Sequence, residues 1–152
     1  MAAIGQYLQP LLLQAIFGGG AAQSQFTGNA TLYMGVSTAA FPTTDALLKS
    51  GEPTATGSYA RIVITNNATN FPAASGSNPA TSKLHVAFSF AVSTAAWSTG
   101  GTPLQSWFFA DAPTLGAGNV HWSGACVPAT DIVNGAGVTF SWAIDAQSYT
   151  LT

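Results

Sequence analysis

The sequence predicts an all-β fold: an antiparallel β-sandwich, jelly-roll or immunoglobulin-like, with a short N-terminal helix. Three observations predict it. Apolar residues alternate with a period of two in one short run after another. Turn-forming Gly, Pro, Asn and Ser separate the runs. Only one stretch carries a helical period, so nothing suggests the strand–helix alternation of an α/β protein.

That stretch is Met1–Phe17. Ile4, Leu8, Leu11, Leu12, Ala15 and Ile16 recur at helical spacing and make one apolar stripe. Pro10 suits a first-turn position, so the helix is expected to begin near Gln9. Gly18-Gly19-Gly20 stops it. Residues 1–20 therefore read as a helical arm, and residues 21–152 as a single β domain. The arm is too short and too interrupted for a membrane span, and it lacks the basic start of a secretion signal.

Thr31–Ser37 is the first clean strand, with Leu32, Met34 and Val36 on one side and Tyr33, Gly35 and Ser37 on the other. A long polar loop, Ala39–Ser58, leads to a second strand over Tyr59–Thr65. Lys83–Ala91 places Leu84, Val86, Phe88 and Phe90 inward. Trp97 sits in a short strand or turn. Leu104–Ala110 is aromatic and ends at the turn Asp111-Ala112-Pro113. Gly118–Val127 is expected to put Val120 and Trp122 on one face. Val138–Asp145 alternates again, and Tyr149–Thr152 reads as a last edge strand.

Charge is the unusual quantity. The chain has three basic and five acidic residues, 5% charged against roughly 25% in typical domains. A folded protein of 15.4 kDa exposes about 7,000 Å². Its surface must then be mostly Ser, Thr, Asn, Gln, Gly and Ala, with little colloidal repulsion and a tendency to associate. With only Lys49, Arg61 and Lys83 positive, there is no basic footprint for nucleic acid and none for anionic membranes. The single Cys126 rules out an intrachain disulfide.

Catalysis needs titratable groups at workable spacing, and this chain has few. His85 and His121 lie on the outward faces of different strands. With Cys126, Asp111 and Asp131 they form no metal-ligand spacing, so no metal or cofactor is expected. No P-loop, dinucleotide fingerprint or nucleophile elbow is present. Asp111 and Asp131 read better as turn formers than as a glycosidase pair. The expectation is a protein that is not an enzyme. Of the four Trp, Trp107, Trp122 and Trp142 alternate with polar residues as core residues do, whereas Trp97 is the best candidate for an exposed, glycan-stacking ring. Arg61, inside an apolar strand, is either an ordinary surface residue at a strand start or a buried or interface residue that needs a carboxylate or carbonyl partner, with Glu52 and Asp45 the nearest acids in sequence.

The order of several segments resembles a family of small virion proteins of tailed bacteriophages, variously tail-fibre-like, decoration or cement proteins. The segments are Gln6–Gly19 (QYLQPLLLQAIFGG), Leu32–Thr38 (LYMGVST), Ser50–Thr54 (SGEPT), Gly57–Arg61 (GSYAR), Phe90–Gly100 (FAVSTAAWSTG), Trp107–Gly124 (WFFADAPTLGAGNVHWSG) and Val133–Ile144 (VNGAGVTFSWAI). The resemblance implies a structural virion component assembled in the host cytoplasm. Together with the low charge it suggests a capsid decoration or cement protein that bridges coat subunits. Its partners would be the major capsid protein and copies of itself, as dimer or trimer. The alternative is a tail-fibre or adaptor component contacting host glycans. A secreted carbohydrate-binding module is a third class, resting only on the signal-like N-terminus.

Apolar residues in the arm and the long loop are the natural contacts: Leu8, Leu11, Leu12 and Ile16, then Phe41, Leu47 and Leu48, with Arg61 and Trp97 beside them. Burying each apolar side chain gains about 1.5–3 kcal/mol, against about 1–2 kcal/mol per residue to order the backbone. The sums are comparable, so both segments are expected to become ordered against a partner.

Overall fold

The computed structural model describes residues 2–7, 9–10, 12, 29–73, 80–97, 102–130, 141–142 and 148–151. Among them are nine strands: β1 (Ala2–Ile4), β2 (Thr31–Ser37), β3 (Ile62–Thr65), β4 (Ala80–Lys83), β5 (Phe88–Ser89), β6 (Leu104–Ala110), β7 (Val120–Thr130), β8 (Ser141–Trp142) and β9 (Ser148–Leu151). Five of them form one antiparallel sheet in the order β1-β7-β6-β2-β3, and β4–β9 and β5–β8 form two-stranded antiparallel ribbons. The all-β, antiparallel reading of the sequence therefore holds.

The alternation predicted for β2 sets the two faces of the sheet. Met34 lies opposite Ile62 and Phe109, and Val36 opposite Trp107, so these large side chains share one face. Leu84, Phe90 and Trp97 join them in one buried cluster, covering that face with the segment that follows β4. Phe108 and Ala110 point to the other face, where Leu48 and Val120 close over them. β6 is consequently buried on both sides for most of its length, which is why its sequence, LQSWFFA, is bulky rather than cleanly alternating.

Gly35 faces Phe108 across the ladder. A Cβ there would stand 2.5 Å from the tip of the Phe108 ring and 2.9 Å from Glu52. Only glycine lets that ring and carboxylate lie flat on the strand.

Four expectations are corrected. The polar loop Ala39–Ser58 contains a helix, α1 (Asp45–Ser50), too short for its period to show in sequence. Thr44 caps it by accepting from the Leu47 amide, with Asp45 in the first turn and Lys49 in the last, where the helix dipole favours them. The strand predicted over Lys83–Ala91 is broken: β4 ends at Lys83 and β5 spans only Phe88–Ser89. Leu84 and Phe90 are nonetheless buried and Lys83, His85, Ala87 and Ser89 exposed, as the alternation indicated.

Third, Val120 and Trp122 do not share a face. The register shifts between Phe109 and Ala110, which pair with Trp122 and Val120, leaving His121 as an extra residue in a bulge. Val120 therefore packs with Leu48 and Phe108, and Trp122 against the Met34 cluster. Fourth, the N-terminal arm does not begin as a helix. Ala2–Ile4 is an edge strand on β7, and helical residues appear at Gln9, Pro10 and Leu12, in accord with the start inferred from Pro10. Gly5 follows β1, and a Cβ on it would meet the Val120 carbonyl oxygen at 1.9 Å, so a side chain there would push the strand off the sheet. Leu8, Leu11, Ile16, the three glycines Gly18, Gly19 and Gly20, Asp131 and all of residues 138–145 except Ser141 and Trp142 lie outside the described residues.

Leu48 is the one α1 side chain buried in full, beneath Phe108 and Val120. Leu48→Ala should destabilise the fold by about 2–5 kcal/mol in denaturant unfolding. A loss below about 1 kcal/mol would mean that α1 contributes little to the core.

Candidate functional site

The chain's most constrained cluster lies where β3 stops covering β2. The β2–β3 ladder runs only from Thr31–Thr65 to Met34–Ile62, so the next β2 amide, that of Val36, needs another acceptor. Tyr59 supplies it: its hydroxyl oxygen accepts from Val36 N–H at 3.0 Å and its O–H donates to Glu52 Oε1 at 3.0 Å. Burial, and then the neighbouring Glu52 carboxylate, push the Tyr59 phenol well above its usual pKa, so it remains a donor.

Glu52 and Arg61 form a two-pronged ion pair. Arg61 Nε donates to Oε1 and Nη2 to Oε2, both at 2.7 Å, with each side chain about 1% exposed. The Gly116 amide donates to Oε2 at 2.8 Å. Arg61 Nη1 donates to the carbonyls of Ala112 at 2.6 Å and Ala117 at 3.1 Å, and the guanidinium lies 5.2 Å from the Phe108 ring centre. Four donors thus converge on the carboxylate, which leaves it no free lone pair for proton transfer. The arrangement can hold three chain segments together; it cannot act as a general base.

The β6–β7 loop that Arg61 grips is closed by Asp111, which accepts from the Asn119 amide at 2.7 Å and the Asn119 side chain at 2.8 Å. Lys49, at the end of α1, donates to the Gly118 carbonyl at 3.0 Å. His121 Nε2 stands 3.6 Å from Asp111 Oδ2, and the imidazole meets the Tyr7 ring edge-on at 5.5 Å. The His121 carbonyl accepts from Gly5 N–H at 2.8 Å. The backbone amides of Gln6 and Tyr7 donate to Asp45, whose carboxyl burial holds above its usual pKa. The start of the arm is thereby tied to both α1 and the bulge.

The residues singled out in sequence therefore separate. Of the two fates open to Arg61, the fold takes the buried one: it pairs with Glu52, not Asp45, and both charges are consumed inside the fold. Leu48 is fully buried in the chain's own core. Trp97 is not an exposed platform: it is 4% exposed, its Nε1 donates to the Gly57 carbonyl at 2.7 Å, and its ring packs on Tyr59 and Phe90. Leu47 is 55% exposed, while Phe41 and Leu12 are half-buried. Cys126 is buried among apolar neighbours, which push its thiol up to about 12. Sequence reasoning placed Tyr59 at the start of the second strand, which begins only at Ile62, and so missed its role beside Glu52, as well as the pairing of Asp111 with Asn119. It also missed Val63, 64% exposed on the edge strand.

The family model for the podophage GP4 fiber I protein gp80 matches residues 3–146, nearly the whole chain. The chain belongs to this family. It is accordingly a tailed-phage structural protein and part of the virion. The match begins in β1 and reaches past β8, so the buried pair and both edges of the sheet lie inside the family domain. A search of curated proteins finds no match.

Breaking a buried pair leaves a charge without a partner. Glu52→Gln and Arg61→Met should each cost about 3–5 kcal/mol, and the two together far less than their sum, in a double-mutant cycle by denaturant unfolding. Additive losses would show that the two charges act independently. Asp111 gives a pH signature. Desolvation raises its pKa, but hydrogen bonds from Asn119 and the charge of His121 outweigh this and hold it below the usual carboxylate value. A depressed folded pKa contributes stability that is complete above the unfolded value and lost as pH falls through the folded one. Below about pH 4, Asp111→Asn should therefore lose stability less steeply than the parent. Parallel acid limbs would refute the assignment.

Proposed function

We propose that the chain is a non-catalytic building subunit of a podophage fibre, joined to copies of itself and to neighbouring virion proteins through a charge-poor exterior. The observation that carries this reading is the match to a fibre protein family over residues 3–146. The placement of the charges supports it. Two of the eight charged side chains, Glu52 and Arg61, are spent on the interior, so the surface of 8052 Å² is even poorer in charge than the composition suggested. Such a surface opposes association weakly. The segment from Leu84 to Trp97, lying over one face of the sheet, supports reading the domain as a two-layer sandwich.

Glycan contact finds less support. Trp97, the ring on which that reading rested, is buried, so the subunit is read as a builder of the fibre rather than as its receptor-binding tip. A head cement role draws on the same charge-poor surface but has no further observation in its favour.

Copy number and position test the proposal. Quantitative gels of purified particles should give a small number of copies, and antibody label should collect at the tail. Hundreds of copies spread over the head would overturn the fibre reading in favour of cement.

A further inference from the structure

β3 is the outermost strand of the five-stranded sheet, and it is unusually open for a sheet edge. In its ladder with β2, Asn66 N–H bonds to Ala30, so the even-numbered residues turn their backbone groups toward β2. Arg61, Val63 and Thr65 turn theirs outward. Of these outward groups the Thr65 carbonyl accepts from the Asn70 side chain. Val63 N–H and C=O have no partner among the described residues.

Natural edges are commonly guarded by an outward charge, a proline or a bulge. β3 has none of these. Its one charged neighbour, Arg61, is turned inward and neutralised by Glu52. What projects from the edge is Val63, 64% exposed on a short β-branched run. The opposite edge differs, because β9 lies against β1 there.

We infer that β3 is a self-association edge: it pairs antiparallel with β3 of a second copy about a two-fold axis through Val63, joining two five-stranded sheets into one. The occupant follows from the sequence of the edge itself. Ile62-Val63-Ile64 reads the same in both directions. Antiparallel pairing centred on Val63 sets Ile62 opposite the partner's Ile64, and Ile64 opposite the partner's Ile62. Both isoleucines already pack toward the Met34 cluster, so the pairing runs that apolar layer across the junction. On the other face the two exposed Val63 side chains meet. Val63 becomes a hydrogen-bonded pair, its N–H and C=O exchanging two bonds with the partner's Val63, and Arg61 faces the partner's Thr65 with the same parity. A two-fold contact sets each residue against its counterpart across the axis in the second copy, and here that symmetry brings isoleucine onto isoleucine along the apolar face and keeps it continuous. The inference concerns the chain itself and stands apart from its place on the particle.

A hydrogen-bonded antiparallel pair holds its Cα atoms about 5.5 Å apart, inside the range a disulfide spans. The full chain carrying Val63→Cys should therefore form a covalent dimer rapidly under mild oxidation. Val92→Cys, at a similarly exposed position (54%), should not, and the buried Cys126 does not compete. Val63→Lys should convert the dimer to monomer in sedimentation equilibrium, since two ammonium groups would face each other across the axis. Val63→Cys cross-linking no faster than Val92→Cys would overturn the inference. So would a parent chain that stays monomeric at high concentration, or an oligomer that Val63→Lys leaves intact.

Discussion

The Glu52–Arg61 pair is the contact on which the visible architecture turns. β3 is only four residues long and leaves the upper half of β2 without a ladder partner on that side, β6 pairing with it on the other. In its place stands a polar relay from the Val36 amide through Tyr59 to Glu52, with Arg61 carrying the charge on to two carbonyls of the β6–β7 loop. Two charges removed from water are tolerable only when hydrogen bonds replace hydration at every site. Here nearly all are replaced: Glu52 accepts four donors, and Arg61 gives four hydrogen bonds from its five N–H groups. Such a network adds specificity of geometry more than net stability, because it is satisfied in one arrangement of three segments and costly in others.

That arrangement fixes the surroundings. With Arg61 lying over Phe108, and Gly35 leaving room beneath, the ring is pinned on the face opposite the aromatic cluster. Leu48 seals it, and Lys49 reaches the Gly118 carbonyl from the end of the same helix. The long loop is therefore ordered by its own domain rather than by a neighbour, at least around α1. A stripe that sequence counting would offer to a partner is split. Leu48 goes into the core, and Leu47, one position along the helix, is left in solvent.

Spending charge on the interior has a consequence outside. A protein with so few ionised groups keeps little repulsion between copies, and its edge strands become the places where association is least opposed. One edge, β1, has β9 against it, and the other, β3, carries no outward charge among the described residues. The two edges of the sheet therefore differ in how strongly they oppose pairing with another chain.

Much of this was written in the chain order. Period-two alternation marked β2 and the inward face of Leu84–Phe90, and the composition excluded basic-surface functions, because both depend only on local side-chain chemistry. For Arg61 the sequence offered two fates, a surface position or a pairing with a nearby acid, and only the fold decides for Glu52. What sequence could not decide was anything that depends on two segments meeting. The His121 bulge reverses the side to which Val120 points, a one-residue change of parity invisible without the partner strand. The first residues become a strand because β7 offers an unpaired edge, ahead of the helical residues that begin at Gln9. Trp97 is buried because Tyr59 and Phe90 arrive from distant positions to cover it. Alternation shows that a residue has a side; only tertiary packing decides what lies on it.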